Sequence, residues 1–314
     1  MKAVRFHRYG PADVLRLEDV EAPLPGPGQV RIRVAATSFN PVDASIRSGG
    51  MQGSIPVTLP HTPGVDVAGT VDLLGDGVSG LDVGDDVVGF LPMTATGAAA
   101  QHVLAPAGAL TAAPTSIPLT EAAALPAVAL TAWQALFEHA HLEAGQRVLV
   151  NGAGGAVGVH AVRLAKRAGA HVIAVAGARS GGRARAAGAD EVVDRSRTAV
   201  GTAVTGQVDV LLNLAPLEPA ELAAMADLVR SSGVTVNTTV WMPAPADEER
   251  GVRGVNLFVR SDAGQLAELV ALVDRGELGV DVARRVPLAE LPALHAEAAA
   301  GGLSGKVVVV PPTP

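Results

Sequence analysis

The chain has 314 residues, no cysteine and a formal net charge of −7. The acidic balance argues against nucleic acid or an anionic membrane surface as the main partner, and the lack of cysteine excludes disulfides, thiolate metal ligands and a nucleophilic thiol. The length suggests about two domains, and an aromatic content of only 3% requires cores built mainly from Ala, Val and Leu. We see no membrane-spanning apolar run and no signal-type leader, and we expect a cytoplasmic protein.

Residues 1–112 are predicted to be rich in β-strands. Several segments alternate apolar and polar residues, which is the period of a strand, and turns with Gly, Pro and Asp separate them. These segments are 4–6, 30–34, 64–71 and 84–90. Many short strands joined by such turns favour a compact β-barrel-like domain.

The pattern changes to helix near Leu119, where Thr120 is the expected N-cap, and a second helix is predicted for 129–139. From residue 147 onward strands alternate with alanine-rich helices, which is typical of a doubly wound parallel sheet. The strands are expected near 147–150, 171–176, 191–193, 208–213 and 233–239, with a last strand at 255–259. Residues 306–310 are predicted to form a strand that returns to the first domain.

A glycine-rich turn directly follows the strand at 147–150, and residues 159–166 after it carry apolar side chains at helical spacing. The spacing is not a strict G-x-G-x-x-G, and in a chain with 36 glycines such a turn can be a tight bend and nothing more. Strand, glycine turn and helix in this order are nevertheless the context in which N–H groups at a helix start bind the pyrophosphate of a dinucleotide. We expect the cofactor to be bound by Gly152, Gly154, Gly155, Ala156 and Val157.

The cofactor is predicted to be NADPH. An NAD site usually has an acidic residue at the end of the second strand, but no acid occurs here between Glu143 and Asp190. The loop after that strand instead contains Gly177, Arg179, Ser180 and Arg183. Arginine and serine can donate to a 2′-phosphate, and Arg179 is the first candidate. If Arg179 is only a solvated loop charge, the phosphate site must come from Ser180, Arg183 or Lys166.

Several motifs occur together in the order that one family shows. They are SFNPVD at 38–43, PGVDVAG at 63–69, VGDDV at 83–87, ALP at 124–126 with TAW at 131–133, the glycine turn, GADEV at 188–192 and GKV at 305–307. The chain resembles the medium-chain dehydrogenase/reductase superfamily, in its zinc-independent quinone oxidoreductase-like branch, over nearly its whole length. The resemblance implies a GroES-like catalytic domain at 1–115, a Rossmann domain at 116–262, a return segment at 263–314 that completes the catalytic domain, and a cleft between the two domains.

The resemblance also implies that the nicotinamide lies near Asn40, Asp43 and Thr131, with Lys306 as a further contact. Backbone around it would come from Asn213, Ala215, Thr238, Phe258 and Val259. Structural alternatives remain: Asn40 can form only a turn, Asp43 can cap the helical turn after it, and Lys306 can be an exposed strand residue. The family often has serine where Gly177 stands, so in this chain the binding of the 2′-phosphate depends more on Arg179.

Zinc alcohol dehydrogenases of the same superfamily have Cys where Asn40 stands, Gly-His-Glu at 64–66, and a cysteine-rich lobe. This chain has none of these. Its eight histidines are scattered, and the pair His139 and His141 is spaced so that the side chains diverge on a helix. Zinc requires three or four converging ligands, so we expect no metal.

The implied reaction is hydride transfer from NADPH to a quinone or an activated enone. Water can protonate the phenolate product, so the protein mainly positions two reactants. Tyr9 is the only tyrosine, and no Tyr-x-x-x-Lys motif is present. Two alternatives stay open, namely an enoyl-thioester reductase of polyketide or fatty-acid type and a catalytically silent NADPH-binding protein. The apolar strand at 255–259 and the resemblance predict a homodimer through that edge.

Overall fold

A computed structural model describes residues 1–239 and 241–313. Its internal contacts divide the chain into two units. The first unit comprises Met1–Ala127 and Arg260–Pro314, and the second comprises Val128–Val259. No helix within the described ranges is both long and apolar enough to cross a lipid bilayer.

The first unit is built mainly from strands, which confirms the prediction of a β-rich N-terminal region. Its elements in chain order are β1 (Lys2–Arg5), β2 (Arg16–Asp19), β3 (Gln29–Ser38), α1 (Pro41–Ser48), β4 (Asp66–Leu74), β5 (Asp86–Phe90), β6 (His102–Pro106), β7 (Leu110–Ala112) and α2 (Leu119–Ala122). Helix α3 (Pro126–Trp133) then leads into the second unit. The first unit continues past residue 115 because α2 packs against β3 and β4.

The second unit alternates strands and helices. Its elements are β8 (Arg147–Asn151), α4 (Ala156–Arg167), β9 (His171–Ala176), α5 (Gly181–Ala186), β10 (Glu191–Asp194), α6 (Val200–Ala203), β11 (Val208–Asn213), α7 (Pro219–Ala226), β12 (Val229–Asn237) and β13 (Arg253–Asn256). The six strands are parallel and lie in the order β10-β9-β8-β11-β12-β13. This is the doubly wound Rossmann arrangement that the sequence predicts.

The chain then returns to the first unit. The returning elements are α8 (Ala263–Asp274), β14 (Arg284–Pro287), α9 (Leu291–Ala299) and β15 (Val307–Val310). Strand β15 pairs antiparallel with β3 and parallel with β14, inside a sheet of order β14-β15-β3-β4-β5-β7 in which β6 also pairs with β3. This pairing brings Lys306, just before β15, beside the end of β3.

Each unit has an aliphatic core of its own. Val30, Ile32 and Val67 are buried in the sheet of the first unit, and Leu149 and Leu211 are buried in the sheet of the second. Valine, isoleucine and leucine suit strands that are covered on both faces. The low aromatic content therefore does not prevent the chain from burying two cores.

Two predicted helix starts are wrong. Thr120 lies inside α2, whose N-cap is Pro118, because the carbonyl oxygen of Pro118 already accepts from the N–H groups of Glu121 and Ala122. The helix predicted for 129–139 begins earlier, at Pro126, a residue type that favours the first turn. From Gln134 to His139 it continues as a π-helix.

The last Rossmann strand is shorter than predicted. Residues 255–259 were expected in it, but β13 ends at Asn256. The N–H of Leu257 still donates to the carbonyl oxygen of Asn237, which is the last residue of β12. Beyond that point β12 offers no partner, so the ladder stops.

Candidate functional site

The glycine-rich turn joins the end of β8 to the start of α4. Gly152 has a φ of +80°, a left-handed backbone conformation that favours glycine. A Cβ on Gly158 would lie 2.3 Å from the carbonyl oxygen of Gly152, so the helix can approach the turn only without a side chain there. No side chain caps α4. Its first N–H groups are therefore available to an anion, and the turn fits the pyrophosphate of a dinucleotide.

The loop after β9 packs against this turn. A Cβ on Gly154 would lie 2.3 Å from the carbonyl oxygen of Ser180, and Arg183 donates from Nε to the carbonyl oxygen of Gly154 at 2.9 Å. Ser180 donates from its hydroxyl to the carbonyl oxygen of Gly177 at 3.3 Å. The structure thus brings these four predicted residues together at the carboxyl edge of the sheet. Nothing lies within 4 Å of a Cβ built on Gly177, so the serine common in the family would fit.

Two arginines near this loop have no acidic partner within the described parts of the chain. Arg179 is exposed in the loop itself. Arg195, which the sequence analysis missed, follows β10, and its backbone N–H donates to the carbonyl oxygen of Ala176 at the end of β9, at 3.1 Å. A basic residue just past the strand next to β9 is the signal that could have found it. Lys166 is different, because both carboxylate oxygens of Asp190 accept from its Nζ at 2.8 Å.

A cavity of about 630 Å³ opens beside Arg195 and Gly177. Its lining also includes Glu218 and Glu221 at the start of α7, where the backbone N–H of Glu218 donates to Oε2 of Glu221 at 3.3 Å. Carboxylates can accept from ribose hydroxyls, and arginines can hold a phosphate. The cavity therefore offers partners for both parts of a phosphorylated ribose.

Three buried asparagines form a ladder across the carboxyl edge of the sheet. Asn151, Asn213 and Asn237 end β8, β11 and β12 in register. Nδ2 of Asn151 donates to Oδ1 of Asn213 at 2.6 Å, and Nδ2 of Asn213 donates to Oδ1 of Asn237 at 2.8 Å. Nδ2 of Asn237 faces the carbonyl oxygens of Thr239 and Met242, which can only accept. This fixes the direction of all three amides, and Oδ1 of Asn151 finds no partner among the described residues.

Two further predicted cofactor contacts lie at the same edge. Ala215 follows β11, and its Cβ would lie 3.0 Å from a Cβ on Gly152. Thr238 follows β12, and both its backbone N–H and its hydroxyl donate to the carbonyl oxygen of Asn213 at 3.1 Å. The glycine turn and the ends of β11 and β12 are thus held together by direct contacts.

The remaining predicted residues of the second unit lie after β13 and on α3. Phe258 is 49% exposed and lines a cavity of about 330 Å³ together with Trp241. Val259 is half-buried, and so is Thr131 on α3. Phe258 and Val259 offer apolar surface and backbone groups, and Thr131 also carries a hydroxyl.

The first unit contains a buried polar cluster around Asp66 on β4. Asp66 is fully buried, and its carboxylate accepts from four groups. The donors are the hydroxyl of Ser38, Nδ2 of Asn40 at 2.8 Å, the backbone N–H of Ala127 at 2.7 Å and Nζ of Lys306 at 3.1 Å. Four donors are what an ionised carboxylate needs when it is removed from water. The sequence analysis did not select Asp66, although a single acid in an apolar strand was a usable signal.

Lys306 is not an exposed strand residue, because its side chain is only 4% exposed. Besides Asp66, its Nζ contacts Oδ1 of Asn40 at 2.5 Å and the carbonyl oxygen of Phe39 at 3.3 Å. An ammonium has three N–H donors, and three oxygens surround this one. The amide of Asn40 is therefore held at both ends, its oxygen by Lys306 and its nitrogen by Asp66.

Asp43 caps the start of α1. Its Oδ2 accepts from the backbone N–H of Asn40 at 3.0 Å, and its Oδ1 accepts from the backbone N–H of Gly64 at 2.9 Å. Burial raises the pKa of Asp43 to about 6, against the lowering effect of these two N–H groups. The space beside Asp43 measures only about 10 Å³, which is too small for an organic ligand. Asp43 thus acts on the backbone of Asn40.

Comparison with known proteins places both parts of the chain. Residues 26–115 match the alcohol dehydrogenase GroES-like domain, and residues 187–309 match a family described as zinc-binding dehydrogenase. The chloroplast envelope quinone oxidoreductase homolog of Arabidopsis thaliana is 32% identical over 328 residues, which cover 99% of this chain and 98% of that protein. The chain belongs to the medium-chain dehydrogenase/reductase superfamily, in its quinone oxidoreductase-like branch.

Solved structures of the superfamily share the whole fold. The quinone oxidoreductase from Coxiella burnetii has a TM-score of 0.89 and 27% identity, with 99% of each chain covered. A mycobacterial protein complexed with NADPH has a TM-score of 0.85 and 27% identity, and covers 99% of this chain and 100% of its own. As a member of this superfamily, the protein is an oxidoreductase that uses a nicotinamide cofactor.

The residues at the superfamily's zinc position do not fit zinc. Zinc is held by converging Cys, His, Asp or Glu ligands. Here Asn40 offers an amide oxygen already bound by Lys306, Val65 offers no donor atom, and Asp66 already accepts from four groups. No group of three His, Cys, Asp or Glu that could hold a metal occurs in the described ranges. We derive no step of the reaction through zinc.

Proposed function

We propose that this enzyme transfers a hydride from NADPH to a quinone or an activated enone, without zinc. The observation that carries the proposal is the full-length similarity to the quinone oxidoreductase homolog of Arabidopsis thaliana. NADPH, when bound, supplies the hydride. The protein's own task is to hold the two reactants, orient them and exclude water.

The second unit is proposed to hold the cofactor at the carboxyl edge of its sheet. The uncapped start of α4 suits the pyrophosphate, and Arg179 and Arg195, which have no acidic partner among the described residues, suit a 2′-phosphate. The other proposed contacts are Thr131, Gly152, Gly154, Gly155, Ala156, Val157, Gly177, Ser180, Arg183, Asn213, Ala215, Thr238, Phe258 and Val259. NADPH rather than NADH is proposed because two arginines, Arg179 and Arg195, lie near the end of β9 and the loop after β9 contains no Asp or Glu.

In the first unit, Asn40 is proposed to serve the reacting end, with Asp43 and Lys306 fixing its backbone and its side chain. Both oxygens of Asp43 accept from backbone N–H groups, so its carboxyl is committed to structure. A reduced quinone leaves as a phenolate that water can protonate. The proposed reaction therefore needs no proton from these residues. A cytoplasmic location and a homodimer through β13 also remain proposals.

A cofactor-coupled screen tests the function. The purified protein, dialysed against a strong chelator, is assayed for NADPH oxidation with 1,4-benzoquinone, a simple enone and crotonyl-coenzyme A. We expect turnover of the quinone or the enone. Turnover of the thioester alone would favour an enoyl-thioester reductase, and NADPH binding without turnover would favour a silent binding protein. If the protein contains one zinc per chain and loses its activity when the chelator removes that zinc, the zinc-free proposal is wrong.

Arg179→Ala tests the cofactor assignment. A charge-assisted hydrogen bond contributes roughly 1.5–3 kcal/mol, and about 1.4 kcal/mol is tenfold in affinity, so NADPH should bind about ten- to a hundredfold more weakly. NADH binding should hardly change. The loss should appear in the KM for NADPH, because the phosphate lies far from the hydride and contributes equally to ground and transition states.

Arg195→Ala and Arg185→Ala complete this experiment. Arg185 is an exposed arginine on α5 and serves as the matched control, which should leave the cofactor preference intact. If only Arg195→Ala weakens NADPH, the phosphate is held after β10 and not in the loop after β9. A wild-type enzyme that prefers NADH would overturn the NADPH assignment.

A further inference from the structure

Lys306 and Asp66 form an ion pair that solvent does not reach. Their side chains are 4% and 0% exposed, and Nζ lies 3.1 Å from Oδ2. A buried charge is retained only where its partners satisfy it closely. Here the ammonium is surrounded by three oxygens, which belong to Phe39, Asn40 and Asp66. Apolar packing does not explain why a buried ammonium is given one oxygen acceptor for each of its three N–H groups, whereas a role in the reaction would.

Two of these three oxygens belong to positions 40 and 66, where the zinc dehydrogenases of the superfamily have Cys and Glu. We infer that the Lys306 ammonium is a resident cation in place of a metal, and that it is a positioning residue which fixes the amide of Asn40 for the reaction. The inference rests on the proposed function, in which Asn40 serves the reacting end.

The pairing of β15 with β3 builds this contact. The backbone N–H of Phe39 donates to the carbonyl oxygen of Val307 at 3.0 Å, and Val308 pairs with Ser38. The hydrogen bonds between β15 and the end of β3 therefore fix how close the backbone of Lys306 lies to Asn40. Its Nζ then fixes both the carbonyl before Asn40 and the side-chain oxygen of Asn40.

The ammonium and the carboxylate together decide which way the amide of Asn40 faces. An ammonium only donates and a carboxylate only accepts, so the amide must turn its oxygen to Lys306 and its nitrogen to Asp66. Without Lys306 the oxygen of Asn40 loses this donor, and the terminal torsion of asparagine is broad and roughly two-fold. Because the three donors of Lys306 are used inside the cluster, Lys306 acts on a reactant through Asn40.

The first arm of the test asks whether the site binds a cation. Lys306→Ala removes the side chain and leaves the three oxygens, and ethylammonium chloride is the probe. We expect ethylammonium to raise the Tm of Lys306→Ala saturably and to leave wild type unchanged. Lys166→Ala is the matched control, because Lys166 pairs with Asp190 at 33% and 30% exposure and its loss leaves no closed site.

Tetramethylammonium separates binding from a general salt effect, because it carries charge but no N–H donor. If it raises the Tm of Lys306→Ala as much as ethylammonium does, or if neither ion acts, the inference is wrong. This arm requires no turnover. It therefore decides about the cation site even if wild type reduces no quinone, which would refute only the proposed function.

The second arm asks whether Lys306 positions Asn40. Misplacement by about 1 Å can cost roughly a hundredfold in rate, so kcat of Lys306→Ala with 1,4-benzoquinone should fall by about that factor. The KM for NADPH should change little, and ethylammonium should restore kcat. A raised KM for NADPH with an unchanged kcat would instead indicate direct cofactor binding and would overturn the positioning role.

A neutral double variant protects the test against unfolding. Removal of one member of a buried pair strongly destabilises a protein, so Lys306→Ala alone can fail to fold. The variant with Asp66→Asn and Lys306→Met keeps the volumes and removes both charges. We expect it to fold and bind NADPH with a reduced kcat. A wild-type kcat in this variant, or one zinc per chain in the wild-type protein, would overturn the inference.

Discussion

Each unit buries a polar network, and the two networks are built on different principles. In the first unit, the carboxylate of Asp66 and the ammonium of Lys306 supply opposite full charges. In the second unit, the ladder of Asn151, Asn213 and Asn237 is neutral. The two full charges orient the amide of Asn40 in the first network. In the ladder, the carbonyl oxygens of Thr239 and Met242 fix the orientation of the amide of Asn237. Each amide then fixes the orientation of the next one by a hydrogen bond.

The difference shows how much each network depends on its members. The ladder can leave one acceptor at its end without a partner among the described residues, as it does with Oδ1 of Asn151, because a neutral amide loses only the free energy of one desolvated oxygen. A full charge left unpaired in the interior costs much more. The charged network therefore has to be complete, whereas the ladder does not.

The largest effect is expected from Asp66→Ala, which leaves the buried ammonium without its counter-charge. Breaking such a pair typically costs about 3–5 kcal/mol. Asp190→Ala breaks a partly exposed pair of the same residue types and also removes the acceptor of the Val172 N–H at 2.7 Å, so it should cost about 1–2 kcal/mol. Urea unfolding of both variants, followed by far-UV circular dichroism, gives the two losses in free energy.

Salt adds a second axis to this experiment. The exposed pair of Lys166 and Asp190 should weaken further in high salt, because mobile ions screen it, whereas the buried pair should not respond. Equal losses for Asp66→Ala and Asp190→Ala would show that burial does not separate the two pairs. The claim that a buried charged network depends more strongly on each of its members would then be wrong.

The glycine turn and the alternating strands were predictable because they are local patterns with one physical cause each. The cluster around Asp66 was not, since its members come from distant parts of the chain. Lys306 is 266 residues from Asn40 and 240 from Asp66. The resemblance named Asn40 and Lys306 as separate candidates, but only the pairing of β15 with β3 shows that they touch.

Element ends and neighbouring loops were predicted less well. The end of β13 depends on where β12 ends, which residues 255–259 themselves do not reveal. Arg195 was missed for a similar reason. Its place beside Ala176 follows from the pairing of β10 with β9, while the sequence argument followed only the loop that contains Arg179.

The next effect in size is a pH dependence that comes from Asp43, whose carboxylate holds the backbone N–H of Asn40 beside the charged network. Burial raises the pKa of Asp43 from 3.8 to about 6, so the folded protein binds more protons than the unfolded chain between these values. Asp43 therefore makes the protein less stable as pH rises from about 4 to 6. The total is about 3 kcal/mol at about 1.4 kcal/mol per pKa unit. Asp43→Asn removes this contribution, and stability should then rise more steeply with pH in that window.

His295→Leu is the opposing control, because burial lowers the pKa of His295 from 6.5 to about 3. The ring packs edge-on against Phe39 at 4.9 Å and stays neutral in the folded state. Below pH 6.5 the unfolded chain protonates His295 and the folded protein does not, so the free energy of unfolding falls as pH falls. His295→Leu removes this contribution, and the free energy of unfolding should then fall less steeply. The measurement is the free energy of unfolding from pH 4 to pH 7. If Asp43→Asn and His295→Leu change the slope in the same direction, the assignment of these pKa values is wrong.

The smallest effect is expected from Asn213→Ala, in the middle of the ladder. The change leaves Nδ2 of Asn151 without its partner among the described residues, whereas Oδ1 of Asn237 still accepts from the N–H of Thr239 at 3.2 Å and from its hydroxyl at 2.7 Å. An unsatisfied buried polar group costs about 1–3 kcal/mol, and the broken network carries no full charge, so the loss should stay below that of Asp66→Ala. Asn256→Ala is the matched control, because Asn256 pairs in register with Asn237 but is exposed, and among the described residues its side chain accepts only from the N–H of Ala244. Urea unfolding without cofactor should rank Asn213→Ala between Asn256→Ala and Asp66→Ala. A loss for Asn213→Ala as large as that for Asp66→Ala would mean that the neutral ladder is as indispensable as the charged cluster.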